Sequence, residues 1–344
     1  MAKITLGSTG ITSEQNAFGA LPIQRDDKTT AIRILKKAYA GGMTFFDTSR
    51  FYTDSEEKIG LAFHDMGIRD KIYIATKTRS RTPEGFWRDL DTSLNMLQTD
   101  YIDIYQFHLA PVCYKPEDGS GMYEAMVKAK EQGKIRHIGL TAHSLAVAEE
   151  CIASGLYETL QFPFSYLAGK QERALVEACK TQNMGYLAMK ALAGGLINNA
   201  AAAYAYIAQF DNVLPLWGIQ HEWELDEFLD FMHRPPKLND TLRAVITKDR
   251  QELSGDFCRS CGYCLPCPAE IDIPQCARMS LLLRRSPAQP YLKEDWQEKM
   301  KCIEDCEDCG QCRERCPYGL DTPQLLQRNY EDYQKILAGE ISVD

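Results

Sequence analysis

"KIYIATKT" (residues 71–78) and "YIDIYQFHL" (residues 101–109) are short β-branched and aromatic runs, and the stretch between them has the spacing of an amphipathic helix. The same alternation extends in both directions. Upstream stand "QNAFGAL" (15–21) and "TFFDTS" (44–49), and downstream "IRHIGLTA" (135–142), "ETLQFPFS" (158–165), "MGYLAMKAL" (184–192) and "NVLPLWGI" (212–219). That makes eight strand candidates, each followed by a helix candidate. The first helix, "DKTTAIRILKKAYAGG" (27–42), sets Ile32, Leu35 and Ala38 on one apolar face and stops at Gly41-Gly42. Strand–helix units repeated in this way predict an α/β fold, a (β/α)8 TIM barrel in preference to an open doubly wound sheet. The hairpin-like "MAKITLGSTGIT" (1–12) is expected to plug the bottom of the barrel.

The chain has 344 residues, 44% hydrophobic and 25% charged, enough for one large domain and a smaller one. A net charge of −9 argues against nucleic acid or an anionic membrane as partner, because phosphate binding rests on clustered Lys and Arg. No run approaches the roughly 18 consecutive apolar residues of a membrane span, and the Met-Ala-Lys start has no apolar leader, so a cytoplasmic protein is expected. Of the 13 cysteines, three precede residue 250 and ten follow it. With Pro235-Pro236 as linker, this predicts a barrel over 1–235 and a second domain over 236–344. Reduced cytosolic cysteines at Cys-x-x-Cys spacing read as metal ligands.

Catalytic groups of a TIM barrel gather at the C-terminal ends of its strands. Asp47 closes the second strand, Tyr52 follows it, Lys77 closes the third, and His108 closes the fourth. A tyrosine with an ordinary pKa of about 10 is a poor acid, and an ammonium beside it favours the phenolate. Lys77 would lower Tyr52, Asp47 would hold Lys77, and His108 would donate to a substrate carbonyl oxygen. The set suits hydride addition to a carbonyl, where a developing alkoxide takes a proton.

"FFDTSRFY", "ATK" and "YQFH" resemble, in order and spacing, the Asp, Tyr, Lys and His tetrad of the aldo-keto reductases, and "LGSTGIT" and "IRHIGLTAHS" extend the likeness over roughly residues 1–235. The resemblance implies a nicotinamide cofactor. It places Thr141 and Gln161 at the carboxamide, with Ala142 where the family has an Asn. Met189 takes the place of the stacking aromatic residue, Lys190 is in reach of the pyrophosphate, and Gly218, Gln220 and Glu224 follow the eighth strand. A carboxylate at Glu224, where relatives carry basic residues for a 2′-phosphate, favours NADH over NADPH. A plain solvated glutamate is an equally good reading of Glu224. Leu21, Phe51, Phe86, Trp87 and Tyr114 are candidates for the substrate pocket.

"CEDCGQCRERCP" places Cys306, Cys309, Cys312 and Cys316 at the Cys-x2-Cys-x2-Cys-x3-Cys-Pro spacing of bacterial ferredoxins, which favours [4Fe–4S] over zinc. "CRSCGYCLPCP" places Cys258, Cys261, Cys264 and Cys267 in a similar run, one residue short before the last cysteine. If ligands cross over as in two-cluster ferredoxins, one cluster takes Cys258, Cys261, Cys264 and Cys316, and the other Cys306, Cys309, Cys312 and Cys267. The tail resembles a small, mainly helical ferredoxin-like domain and the C-terminal extension of a subgroup of aldo-keto reductases. Cys276, Cys302, Cys113, Cys151 and Cys179 read as buried small hydrophobes.

A cluster passes one electron and a nicotinamide passes two as hydride, so the halves do not couple directly. Either a flavin, here or in a partner, splits the pair, or the clusters serve structure or sensing while the barrel works as a plain reductase. One reading is an enzyme acting on a small carbonyl or alcohol, with the tail and its two [4Fe–4S] clusters wiring it to a redox partner protein. The other is an electron-transfer or redox-sensing subunit that uses the barrel as scaffold or flavin site.

Overall fold

The computed structural model of the chain describes residues 3–253 and 255–343. An antiparallel hairpin, β1 (Lys3–Thr5) with β2 (Thr12–Glu14), precedes eight parallel strands. These are β3 (Ala17–Gly19), β4 (Phe45–Asp47), β5 (Tyr73–Thr78), β6 (Ile102–Phe107), β7 (Ile135–Thr141), β8 (Thr159–Pro163), β9 (Gly185–Met189) and β10 (Val213–Gly218). Each pairs with the next, and β10 pairs back to β3, closing the barrel that the alternation predicts. Helices follow the strands in turn: α1 (Lys28–Ala40), α2 (Ser55–Phe63), α3 (Pro83–Leu97), α4 (Met122–Glu131), α5 (Leu145–Ser154), α6 (Lys170–Thr181), α7 (Ala200–Ile207) and α8 (Glu222–His233).

Local chemistry sets these boundaries. Asp27 accepts the Thr30 amide at 3.0 Å and so starts α1, and the chain leaves the helix at Gly41 and Gly42, the latter at φ +101°. Its buried face is Ala31, Ile34, Leu35 and Ala38; Ile32, expected on that face, sits half-buried at its edge. The hairpin closes the barrel bottom as expected, with Ile4, Leu6 and Ile11 packed against Phe45, Ile104, Leu187, Leu214 and Leu216. Close approach there needs Gly7: it stands at φ +51°, and a Cβ would lie 2.4 Å from the Asn183 carbonyl oxygen. Between barrel and helices Phe86 packs edge-on against Tyr105 at 5.5 Å. Burying a phenylalanine of this kind contributes on the order of 1.5–3 kcal/mol.

The chain divides into two compact units: residues up to Ala191 with Ala200–Arg243, and Leu192–Asn199 with the chain from Ala244 onward. Helix α9 (Asp240–Glu252) spans the point of division. The second unit holds α10 (Ile273–Cys276), α11 (Met279–Arg285), α12 (Glu294–Lys301), α13 (Gln311–Glu314) and α14 (Thr322–Leu337), with no strand among its described residues. Its core is built on α14, whose Leu325, Leu326, Tyr333 and Ile336 are buried against Ile273, Met279, Met300 and Ile303. Asn329, on the same face, takes the Ser280 amide at 2.9 Å and gives a hydrogen bond to the Ala277 carbonyl at 3.3 Å. Its polar ends are therefore satisfied inside the core.

Candidate active site and cysteine cavities

Asp47 is the last residue of β4, Lys77 the second-last of β5, and His108 the first after β6, while Tyr52 lies in the loop from β4 to α2. Three adjacent strands thus bring four groups to one end of the barrel. The Lys77 ammonium donates to Asp47 Oδ1 at 2.7 Å, Asp47 Oδ2 at 2.8 Å and the Thr48 carbonyl at 2.6 Å. Those bonds use all three of its protons. Its nitrogen is 5.5 Å from the centre of the Tyr52 ring, and the Tyr52 and His108 rings meet edge-to-face at 5.7 Å. Ser49 Oγ accepts the Phe51 amide at 3.1 Å and lies 2.9 Å from His108 Nδ1. A hydroxyl that gives its proton to Nδ1 leaves the ring proton on Nε2, the tautomer that donates to a carbonyl oxygen.

Burial raises the Asp47 carboxyl against the pull of Lys77, and burial lowers the Lys77 ammonium against the pull of Asp47. Both carboxylate oxygens accept from Nζ, the arrangement of an ion pair. Tyr52 is pushed up by burial and by the Asp47 charge, with Arg79 opposing. The lowering expected from Lys77 does not prevail, because burial and the charge of Asp47 dominate the shift. His108 falls well below its ordinary value through burial and the charges of Lys77 and Arg79, so its ring is neutral.

In the second unit the cysteines ring two cavities. Cys267, Cys306, Cys309 and Cys312 line one of about 430 Å³, with Cys264 in the same wall. Cys258, Cys261, Cys264 and Cys316 line the other, of about 340 Å³. The first cavity takes three cysteines of the second run and two of the first, and the second takes three of the first run and one of the second, so Cys267 and Cys316 each stand beside the opposite run. The Ser260 amide points at Cys258 Sγ at 3.3 Å, a bond that favours thiolate. Sulfur donors around a cavity fit an iron–sulfur cluster. Cys276 and Cys302 lie outside both rings, and their thiols donate to the carbonyls of Lys299 at 3.8 Å and Glu298 at 3.4 Å. Cys113, Cys151 and Cys179 are buried in the barrel unit.

The profile of the aldo/keto reductase family matches residues 3–235. The chain belongs to that family. A second profile, the 4Fe-4S dicluster domain, matches residues 257–321. Aldo-keto reductase YhdN of Bacillus subtilis (strain 168) is 28% identical over 214 residues, covering 57% of this chain and 64% of that protein. L-galactose dehydrogenase of Arabidopsis thaliana is 29% identical over 212 residues, covering 56% and 66%. The matched part thus spans slightly less than two thirds of either relative. In fold, the chain is similar to the holo form of an aldo-keto reductase from Bacillus halodurans (TM-score 0.63, 21% identity, 72% of this chain and 96% of that one). It is also similar to an aldo-keto reductase from Klebsiella pneumoniae in complex with NADPH (TM-score 0.61, 19% identity, 72% and 95%).

Among the residues that the family resemblance implies for a cofactor, Thr141 ends β7 and stands in register with Gln161 of β8. Thr141 Oγ1 accepts the Leu109 amide at 2.8 Å, so its own proton remains to donate. Gln161 accepts from Gln106 at 2.8 Å and reaches Asp47 Oδ2 at 3.5 Å, which ties it to the tetrad. Met189 ends β9, Lys190 follows at φ +55°, and Gly218 ends β10 with its backbone exposed. Donors, a cation and open backbone around these strand ends fit a dinucleotide. Gln220 contacts Arg25 at 3.5 Å and Asp26 at 3.4 Å. Glu224 Oε2 takes the Gln220 and His221 amides, both at 2.8 Å, and so caps α8. Phe86, expected to line the pocket, is instead fully buried, because α3 turns it against Phe107 and Tyr105 of β6. Trp87 packs on Phe86 at 5.4 Å, and Tyr114 is buried on Phe107 at 4.7 Å. Leu21 and Phe51 are exposed.

Three groups near the tetrad escaped the sequence reading. Glu56, buried on α2, accepts from Thr76 Oγ1 at 2.6 Å, pairs with Arg50, and its charge favours the Lys77 ammonium. His143, two residues past β7, is buried and held well below its ordinary pKa by burial and by Lys190. Arg79 follows β5 and its charge is felt at both Tyr52 and His108. For each the available signal was position, just after a strand end or on the first turn of the helix that follows.

Proposed function

We propose that this chain interconverts a small carbonyl compound and its alcohol, with Tyr52 as proton donor in the reducing direction. One observation carries the reading: a buried lysine committed to Asp47 and the Thr48 carbonyl, set beneath a tyrosine whose edge meets a neutral histidine. His108 orients the carbonyl oxygen, and Tyr52 gives its proton to the alkoxide as it forms. Lys77 and Asp47 hold compensated charge beneath the phenol. A nicotinamide, when bound, supplies the hydride. Thr141 and Gln161 would hold its carboxamide, Met189 its ring face, and Lys190, Gly218 and Gln220 its phosphates and ribose. The Glu224 charge disfavours a 2′-phosphate, so NADH is the proposed cofactor in preference to NADPH.

The catalytic domain is proposed to be residues 1–235 and the cluster domain 236–344. Two [4Fe–4S] clusters occupy the two cavities, on Cys258, Cys261, Cys264 and Cys316 and on Cys267, Cys306, Cys309 and Cys312. When bound, the clusters would supply one-electron transfer to a redox partner protein, and exchange with a hydride carrier would need a flavin here or in that partner. The proposed compartment is the cytoplasm, where such thiols stay reduced. Tyr52→Phe tests the core of the proposal. It removes one hydroxyl, so the variant should fold, as judged by circular dichroism, and lose carbonyl reduction by about two orders of magnitude or more. Undiminished turnover would remove Tyr52 from the mechanism.

A further inference from the structure

We propose that Arg50 and Glu56 are positioning residues for Tyr52, an ion pair that spans its loop and fixes the phenol over Lys77; the inference rests on the proton donation proposed above. Tyr52 stands between the two in sequence, in the segment from Asp47, which ends β4, to Ser55, which starts α2. The Tyr52 amide donates to the Ser49 carbonyl at 2.9 Å and the Ser55 amide to the Tyr52 carbonyl at 2.8 Å, so two tight turns follow one another. Thr53 stands at φ +38°, a left-handed conformation that a β-branched residue adopts only under constraint.

Arg50 supplies that constraint. Its Nη1 pairs with Glu56 Oε2, and its Nη2 donates to the Thr53 carbonyl at 3.2 Å. One planar guanidinium therefore joins the residue after Tyr52 to the first turn of α2. The Arg50 amide donates to the Lys77 carbonyl at 3.1 Å, so the strut starts from the strand that carries the lysine. Glu56 completes the tie: its Oε1 accepts from Thr76 Oγ1 at 2.6 Å, and Thr76 precedes Lys77 on β5. The Glu56 side chain is 1% exposed and that of Arg50 23%. A carboxylate buried to that degree needs its charge matched, and the pair matches it in a single geometry. Loop and strand are thus tied at two points, with the centre of the Tyr52 ring 5.5 Å from the Lys77 nitrogen. Proton donation needs the hydroxyl within hydrogen-bond reach of the forming alkoxide, and a displacement of about 1 Å costs on the order of a hundredfold in rate.

The test follows reduction of para-nitrobenzaldehyde by NADH with the full-length, cluster-loaded protein. Arg50→Lys keeps the charge opposite Glu56 but not the fork, and Glu56→Gln keeps an acceptor for Thr76 but not the ion pair. Each should lower kcat about ten- to hundredfold with KM within about twofold of wild type. In the Tyr52→Phe background the same substitutions should change turnover by less than about threefold, because residues that act through a hydroxyl have nothing to act on once it is gone. Losses that multiply in that background show a general structural role and overturn the proposal. Incorporated meta-fluorotyrosine supplies a readout free of catalysis: the fluorine resonance missing from Tyr52→Phe reports Tyr52, and it should shift or split in both variants. An unmoved line overturns the assignment. Arg50→Lys retains the charge balance, so it carries the test if Glu56→Gln does not fold. If the aldehyde is not reduced, or Tyr52→Phe turns over as fast as wild type, the catalytic reading fails, and the fluorine line alone then decides whether the pair positions the ring.

Discussion

Tyr52 can give up a proton only while it holds one, and burial together with the Asp47 carboxylate keeps it protonated. In the proposed mechanism the acid form is the active one in reduction, so activity would be present below its folded pKa and lost as pH rises through it. Because that pKa is shifted upward, kcat/KM for carbonyl reduction should stay level through pH about 10, where an ordinary tyrosine titrates. A fall centred near pH 8 would assign the proton to another group. The four tetrad residues were legible because each sits at or just past a strand end, where the alternation alone places it. The direction of the Tyr52 shift was not. It depends on burial and on the nearby Asp47 charge, which spacing does not contain.

At the scale of the element, Glu224 decides between two roles. Its Oε2 accepts two amides at the start of α8, an arrangement that is part of the helix whether or not a dinucleotide binds. Glu224→Ala should therefore lower unfolding free energy by about 0.5–2 kcal/mol, measured by urea denaturation without cofactor. If capping is its whole role, the ratio of NADH to NADPH dissociation constants stays unchanged in that variant. A shift toward NADPH supports the proposed repulsion of a 2′-phosphate. Glutamate three residues after His221 was available as a capping signal, yet alignment to the family's basic residues drew the reading toward the ribose. Ile32 shows the related limit of periodicity. A 3.6-residue repeat marks the apolar side of a helix, while the packing of neighbouring elements selects which apolar residue is central or buried.

Across the whole molecule, the tail has a sixteen-residue helix, several short ones and a core that includes the cysteines themselves. A small unit built this way draws much of its stability from metal. Anaerobically purified protein should contain about eight iron and eight sulfide per chain. Cys267→Ser should lose roughly half of both, because Cys267 lines the cavity of the second run although its own run is one residue short. An unchanged iron content in that variant would remove it from the ligand set, and zinc in place of iron would falsify the cluster reading.

The order of strands, the positions of the tetrad and the two cysteine runs are determined by the sequence alone, because each rests on local pattern: short β-branched or aromatic runs for strands, a 3.6-residue period for helices, a three-residue spacing for cysteines around a cluster. The exchange of Cys267 and Cys316 between cavities was an open choice there, and the fold brings each beside the opposite run. Tertiary structure also decided which charges meet. Glu56, Arg79 and His143 act on the tetrad from the first turn of a helix and from positions just past strand ends. Burial and Coulomb interaction depend on separation in space, and a barrel closes residues far apart in the chain onto one end.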